Sequence, residues 1–232
     1  MLIFAVDTSA KVSSVALLKD GKLAAITTLN TGNTHSETLL VSVKSLLNQA
    51  NVKVSDIDLF AVTNGPGSFT GIRIGVSLIK GLAFGNKKCV GVSTLEALAY
   101  NMTDRNAIIC PVMDARREQV YNALFKAENN TLTRLCDDRL ITLSDLNNEL
   151  SNYDLPIYLV GDGYDIAIST LSNSNILPTV EIARYQNAYS VAICAQKIFE
   201  NGIYCDDSTL LPSYLRAPQA ERERLAKLQN NN

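Results

Sequence analysis

The chain opens with an apolar run closed by a carboxylate, LIFAVD at 2–7, followed by stretches at 12–18 and 22–29 that meet at Asp20-Gly21. An apolar run of about four to eight residues bounded by turn residues predicts a buried strand, and strand-like stretches joined by Asp-Gly predict a hairpin. From Thr34, a helix-capping residue, to Gln49, the apolar residues Leu39, Leu40, Val43, Leu46 and Leu47 recur at helical spacing. A short buried strand at 59–63, a glycine-rich turn, a helix at 71–84, a strand at 89–92 and a capped helix at 94–101 follow.

The same order then returns. IICPVMD at 108–114 is again an apolar run ending in aspartate, 120–126 and 132–141 form a hairpin across Asn129-Asn130, and Thr142 caps a helix to about Leu150. A strand at 157–160, a helix at 164–171, a weak strand at 176–180 and a helix at 188–199 complete the pattern. Strand ends at Asp7 and Asp114, each followed by a hairpin and a helix, indicate an internal duplication. Each half reads as βββαβαβα, with helices on both faces of a mixed sheet, a layered α/β architecture. That order, carried out twice, is the one used by the actin, sugar kinase and Hsp70 superfamily.

With 47% hydrophobic and 19% charged residues among 232, the chain has material for one large or two small domains. No run reaches the roughly 18–20 apolar residues of a membrane helix, and the start lacks the basic region of a secretory signal, so the expected location is the cytoplasm, without membrane contact. Five cysteines (89, 110, 136, 194 and 205) are scattered without a CxxC pair, which predicts buried thiols rather than a disulfide framework or a zinc knuckle. The net charge of −2 lacks the basic surplus of a protein that grips nucleic acid unaided.

Three places carry candidate chemistry. Asn64 to Gly71 (NGPGSFTG) lies between a buried strand and a helix, where glycines allow close approach and a helix N-terminus offers free N–H groups to an anion. It is neither a Walker loop nor GxGxxG, so a tight turn capped by Ser68 or Thr70 is an equally valid reading. Asp7-Thr8-Ser9 stands at the carboxyl end of the first strand, where α/β proteins bind ligands and an aspartate holds Mg²⁺ through water; the alternative is a turn carboxylate accepting nearby N–H bonds. Asp114-Ala115-Arg116-Arg117 is its counterpart in the second half, its arginines open to a phosphate, a partner carboxylate, or Glu118 and solvent. His35 is the only histidine, too few for the metal sites of metallohydrolases, and no GxSxG elbow surrounds a serine, so a peptidase is disfavoured. The 71–84 helix is apolar nearly all round, with Gly71, Gly75, Gly81 and Gly85 along it, and is either buried or turned toward another chain.

FAVDTS, NGPGSFTGIRIG, GVSTLEALA, MDARREQVY and LPSYLRAPQAE occur in order over nearly the whole chain and resemble the TsaB (YeaZ) family. The resemblance implies an actin-like duplicated fold related to TsaD, the metal-holding catalytic subunit that transfers threonylcarbamoyl to a tRNA adenosine next to the anticodon. The single histidine departs from the metal-binding pattern of TsaD, so the resemblance is to the non-catalytic partner and activator. It implies a heterodimer with TsaD, a homodimer alone, the ATPase TsaE as a further partner, and tRNA met only through the complex. Implied interface residues are Leu39, Leu40, Val43, Arg73, Ile74 and Leu78, and Asp7, Ser9, Gly65, Gly67, Ser68 and Gly71 mark a degenerate nucleotide site, with ATP or ADP and Mg²⁺ confined to the assembled complex. The domains expected are 1–103, with the docking helices, and 104–218, followed by a polar, flexible tail at 219–232. The alternative is an independent ATP-dependent phosphotransferase built on Asp7 and the glycine loop, with Gly161-Asp162-Gly163 as its weak second glycine motif.

Overall fold

The computed structural model describes residues 1–216, so the expected tail at 219–232 lies outside the described residues. Strands β1 (Leu2–Asp7), β2 (Ser13–Lys19) and β3 (Lys22–Leu29) open the chain and helix α1 (His35–Gln49) follows. Asp20 and Gly21 both take positive φ, 49° and 75°, the twist that a two-residue hairpin needs. Thr34 and Glu37 cap α1 reciprocally: the carboxylate accepts from the Thr34 N–H at 3.1 Å. Strand β4 (Leu59–Gly65), helix α2 (Phe69–Leu82), strand β5 (Lys88–Ser93) and helix α3 (Thr94–Ala99) complete the first half. Helix α2 begins at Phe69, two residues before the expected 71, because the Ser68 hydroxyl accepts the Gly71 N–H and starts the first turn there.

The second half runs β6 (Ala107–Asp114), β7 (Gln119–Asn122), β8 (Phe125–Glu128), β9 (Thr131–Arg134), β10 (Arg139–Thr142), α4 (Leu143–Leu150), β11 (Ile157–Val160), α5 (Tyr164–Thr170), β12 (Ile176–Leu177), α6 (Glu181–Arg184) and α7 (Ala188–Glu200). The first sheet is ordered β3-β2-β1-β4-β5 and the second β10-β7-β6-β11-β12, the same order strand for strand, with β8 and β9 attached beside β6. In each sheet the central strand pairs antiparallel with the hairpin and parallel with the strand that follows the first helix. This is the duplicated actin-like fold. Among the described residues no helix is long and apolar enough to cross a membrane.

The expected strands at 120–126 and 132–141 are each broken. Val112 faces Asn122 and Ile109 faces Phe125 in one unchanged register, so β7 and β8 are a single strand interrupted opposite Pro111, which has no N–H to give. Phe125 pairs with Arg134 whereas Asn122 pairs with Arg139, an offset that changes by two residues and places a bulge within 135–138.

Alternation along β1 divides the first core. Phe4 and Val6 face α1 and α2 with Leu39, Val43, Ile72 and Val76, while Ile3 and Ala5 face Ala188, Val191, Ala192 and Ala195 of α7. Thus α7, expected in the second domain, packs on the first sheet. After it Cys205 pairs with Cys89 at the edge of β5, Leu210 enters the first core, and the Ser213 N–H donates to the Asn64 carbonyl at 2.7 Å. The expected boundary at 103/104 therefore does not divide the packing: the back face of the first sheet is apolar and α7 is its cover. Helix α3 joins the halves, with Ala97 against the first sheet and Leu95, Leu98 and Ala99 against Ile109 and Phe125 of the second.

A fragment comprising residues 1–103 leaves Ile3, Ala5, Ala16 and Leu18 without α7. It is expected to show no cooperative urea transition by circular dichroism, whereas residues 1–216 unfold cooperatively; a cooperative fragment would contradict the shared core.

Candidate functional site

The turn after β1 is closed on itself. Asp7 is fully buried, and its Oδ1 accepts from the Ser9 N–H at 2.9 Å and the Ser9 hydroxyl at 2.6 Å. Its Oδ2 has no hydrogen-bond partner among the described residues, and neither does the nearby Thr63 hydroxyl. Burial raises the Asp7 pKa, opposed by the hydrogen bonds from the Ser9 hydroxyl and N–H. The Thr8 hydroxyl donates to the Gly71 carbonyl at 2.7 Å, and His35 donates from Nε2 to the Ala10 carbonyl at 2.6 Å, fastening the start of α1 to the same turn.

The glycine loop presses onto this turn. A side chain at Gly71 would run into the Thr8 carbonyl and one at Gly67 into the Ser9 carbonyl, with the Met113 methyl also 3.2 Å from that position. Gly65 meets the Ser213 carbonyl in the same way. The Ser68 N–H donates to the Ser9 carbonyl at 2.7 Å. These glycines allow the chain's own backbone to approach; they do not form an open phosphate cradle. Of the six expected nucleotide-site residues, only Gly67 and Ser68 line the cleft between the halves. Asp7 and Ser9 lie beneath it, and Gly65 and Gly71 are sealed against backbone. Of the two readings of Asp7, its contacts are those of the turn carboxylate that accepts from nearby groups.

The cleft itself encloses about 420 Å³. Lys11 and Ser68 line it from the first half, Asp114, Arg116 and Asp162 from the second, and Tyr214 and Arg216 from the segment that follows α7. Arg116, Arg117 and Glu118 all adopt left-handed backbone, φ 64°, 56° and 58°, held by the Arg116 N–H donating to Asp114 Oδ1 at 2.7 Å. Among the described residues neither arginine is in an ion pair, with Glu118 or any other acid. Asp162 sits in the cleft mouth with its tip reached by solvent; the protein around it and the Asp114 charge raise its pKa to about 6, against the Asp114 N–H that donates to it. Gly163 is taken up by packing, its N–H on the Val112 carbonyl at 3.0 Å.

The segment after α7 is a strap. Lys80 donates to the Ser208 and Leu210 carbonyls at 3.1 and 3.3 Å, Arg73 donates to the Tyr214 hydroxyl at 3.0 Å and lies 3.8 Å over the Phe69 ring, and Arg216 reaches the Ala115 carbonyl at 3.2 Å. Lys11, Tyr214 and Arg216 were not found as site residues from sequence, and Asp162 only within the weak second glycine motif, because separations of up to about two hundred residues leave no periodic signal.

The expected interface residues separate by face. Leu39 and Val43 are in the first core, 3% and 1% exposed, and are corrected to packing residues; one helical step on, Leu40 and Val41 are 50% and 66% exposed. On α2, Ile74 and Leu78 are half-buried at the edge of the core, Arg73 is committed to Phe69 and Tyr214, and Gly71 and Gly75 face inward. Phe84, just past α2, is 83% exposed.

A family model described as TsaD, tRNA N6-adenosine threonylcarbamoyltransferase, matches residues 29–224. The tRNA threonylcarbamoyladenosine biosynthesis protein TsaB of Bacillus subtilis is 32% identical over 225 residues, 95% of this chain and 96% of its own length. The protein of the same description from Escherichia coli K12 is 36% identical over 133 residues, 56% of this chain and 57% of its own length. A solved structure from Pseudomonas aeruginosa, described as an uncharacterized protein with similarity to peptidase YEAZ, shares 25% identity at a TM-score of 0.81, over 93% of this chain and 99% of that one.

A carboxyl group whose folded pKa is raised is less stable charged in the folded state, so it lowers stability as pH rises through that pKa. Asp162→Asn is expected to raise the melting temperature at pH 8 and to leave it unchanged at pH 4, where Asp162 is protonated in the fold. An equal gain at both pH values would place the effect outside its titration. Asp7→Asn keeps the acceptor for Ser9 and gives Thr63 a donor; its urea midpoint at pH 7 is expected at or above that of the parent, and a fall would mean that the buried charge is stabilised by a partner.

Proposed function

Because the chain belongs to the TsaB family, we propose that it acts in threonylcarbamoyladenosine formation on tRNA as the non-catalytic partner and activator of a TsaD-type transferase. The observation that carries this reading is the likeness to a TsaB protein over 95% of the chain. The internal features agree with it. The one histidine is spent on the Ala10 carbonyl, and the aspartate that a phosphotransferase would turn toward Mg²⁺ lies buried beneath Gly67. Neither the kinase nor the peptidase alternative has an open reacting group at this turn.

The docking surface in this reading is the α1–α2 face, with Leu40, Val41, Ile74, Leu78 and Phe84 as its apolar contacts. Large exposed apolar residues beside a core edge mark contact surfaces. On the same reading a second copy uses this face when the transferase is absent, the ATPase TsaE joins the assembled pair with its nucleotide, and tRNA meets the complex rather than this chain alone, in keeping with the net charge of −2. The two-domain description, 1–103 and 104–218, remains useful for the duplicated strand order alone.

Size-exclusion chromatography with light scattering, on the chain alone and mixed with its cognate transferase, is expected to give a one-to-one complex. Val41→Glu, at a position already in solvent, should retain the parent's melting temperature and weaken that complex at least tenfold, because an unpaired charge would be buried in the contact. A mixture that elutes as separate proteins would overturn the partner reading, and full binding by Val41→Glu would move the contact elsewhere.

A further inference from the structure

Two of the five cysteines meet where the strap leaves α7. Cys89 begins the buried part of β5, and Cys205 lies opposite it as an isolated antiparallel bridge, with N–H to carbonyl distances of 2.8 and 2.9 Å in the two directions. Residues that exchange both hydrogen bonds sit about 5.5 Å apart at Cα, with side chains on one side of the ladder. That separation is inside the range of about 4.4–6.8 Å found in disulfides, and because side chains of a hydrogen-bonded pair stand wider apart than the roughly 3.5–4.5 Å between disulfide Cβ atoms, closing the bond draws the strap about 1 Å nearer to β5. Both side chains belong to the first core, and the Cys205 thiol lies 3.4 Å from the Cys89 carbonyl. The other three thiols have no opposed cysteine in their ladders: Cys110 is on β6 opposite the β7–β8 break, Cys136 is in the bulge, and Cys194 is on α7.

We propose that Cys89 and Cys205 are a redox-sensitive pair, which a small-molecule disulfide such as oxidised glutathione converts to an internal disulfide that staples the strap to the first sheet. The half-buried Cys205 thiolate attacks one sulfur of oxidised glutathione, forming a mixed disulfide and releasing one glutathione thiolate. The Cys89 thiolate then attacks Cys205 sulfur and releases the second. The two protein thiols lose two protons and two electrons, and one oxidised glutathione becomes two reduced ones.

The position gives the bond a consequence. From Cys205 the strap passes the Asp207 carboxylate to the Asn86 N–H at 3.1 Å, Lys80 at 3.1 and 3.3 Å, Asn64 at 2.7 Å, and the cleft at Tyr214 and Arg216. A staple at its root shortens the length free to lift from α2 and from the cleft mouth. Burial holds Cys89 at a pKa of about 12 and raises Cys205, which keeps the thiolate fraction small and makes exchange slow.

The test is incubation of the full chain with oxidised glutathione at pH 8, alkylation in denaturant, and non-reducing peptide mapping. The expected result is one linked peptide joining Cys89 and Cys205, absent from Cys205→Ser and Cys89→Ala, with slower hydrogen exchange at the Ser213 N–H that returns to the parent rate on reduction. Five alkylated thiols, glutathione capping without ring closure, or a link between other cysteines would overturn the assignment. A linked peptide with unchanged exchange at Ser213 would overturn the stapling of the strap.

Discussion

The first sheet has two apolar faces, and the course of residues 188–216 follows from covering the second. Ile3, Leu18, Leu59, Val90 and Val92 present that face, and Val191 of α7 meets them among small residues. Six side chains at about 1.5–3 kcal/mol each reach the whole stability of a typical domain, about 5–15 kcal/mol. The chain cannot leave the face open, so α7 returns from the second half to close it. Alanines at 188, 192 and 195 let the helix sit close against the strands. Once α7 ends beside β5, residues 201–216 run along α2 toward the cleft, which places Cys205 opposite Cys89 and Arg216 beside Ala115.

The same economy of space explains the glycine loop. In an open phosphate site, N–H groups at a helix start point toward solvent and the glycines make room for the ligand. Here Ser9, Thr8 and Ser213 fill that room with backbone, and the Ser68 amide is already bonded. Asp7 gains two hydrogen bonds from Ser9 but has a buried second oxygen without a partner among the described residues, a cost that a surface carboxylate avoids. What faces the cleft instead is a mixed set of charges, Lys11, Arg116 and Arg216 with Asp114 and Asp162, assembled from four distant segments.

Local pattern made much of the fold legible. The Asp20-Gly21 turn, the Thr34 cap, the repeated strand-hairpin-helix order and the motif blocks were all readable because each depends on residues near in sequence. Ownership of α7 was not, since an apolar helix face states that it needs a partner surface and leaves open which one. Which side of α1 is exposed was legible only in part: Leu39 and Leu40 are both apolar, and 100° of rotation puts one in the core and the other in water. Of the cleft charges, Asp114 and Arg116 were legible from their place after the second-half strand, whereas the left-handed backbone that presents Arg116 is announced by no composition.

The bulge at 135–138 shows how such a misreading can mark a working part. Alternation predicts an unbroken strand there, but an unbroken strand would keep Asp138 in the ladder. Displaced by the extra residues, Asp138 accepts from the Ser93 hydroxyl at 2.5 Å and from Arg134 at 2.6 Å, while Arg134 also reaches Glu96 at 3.0 Å. Ser93 and Glu96 belong to the first half and Arg134 and Asp138 to the second, and all four are partly shielded from water. Shielding strengthens charge-assisted bonds that on an open surface contribute little. Together with α3, which buries side chains in both cores, this network ties the two sheets to each other.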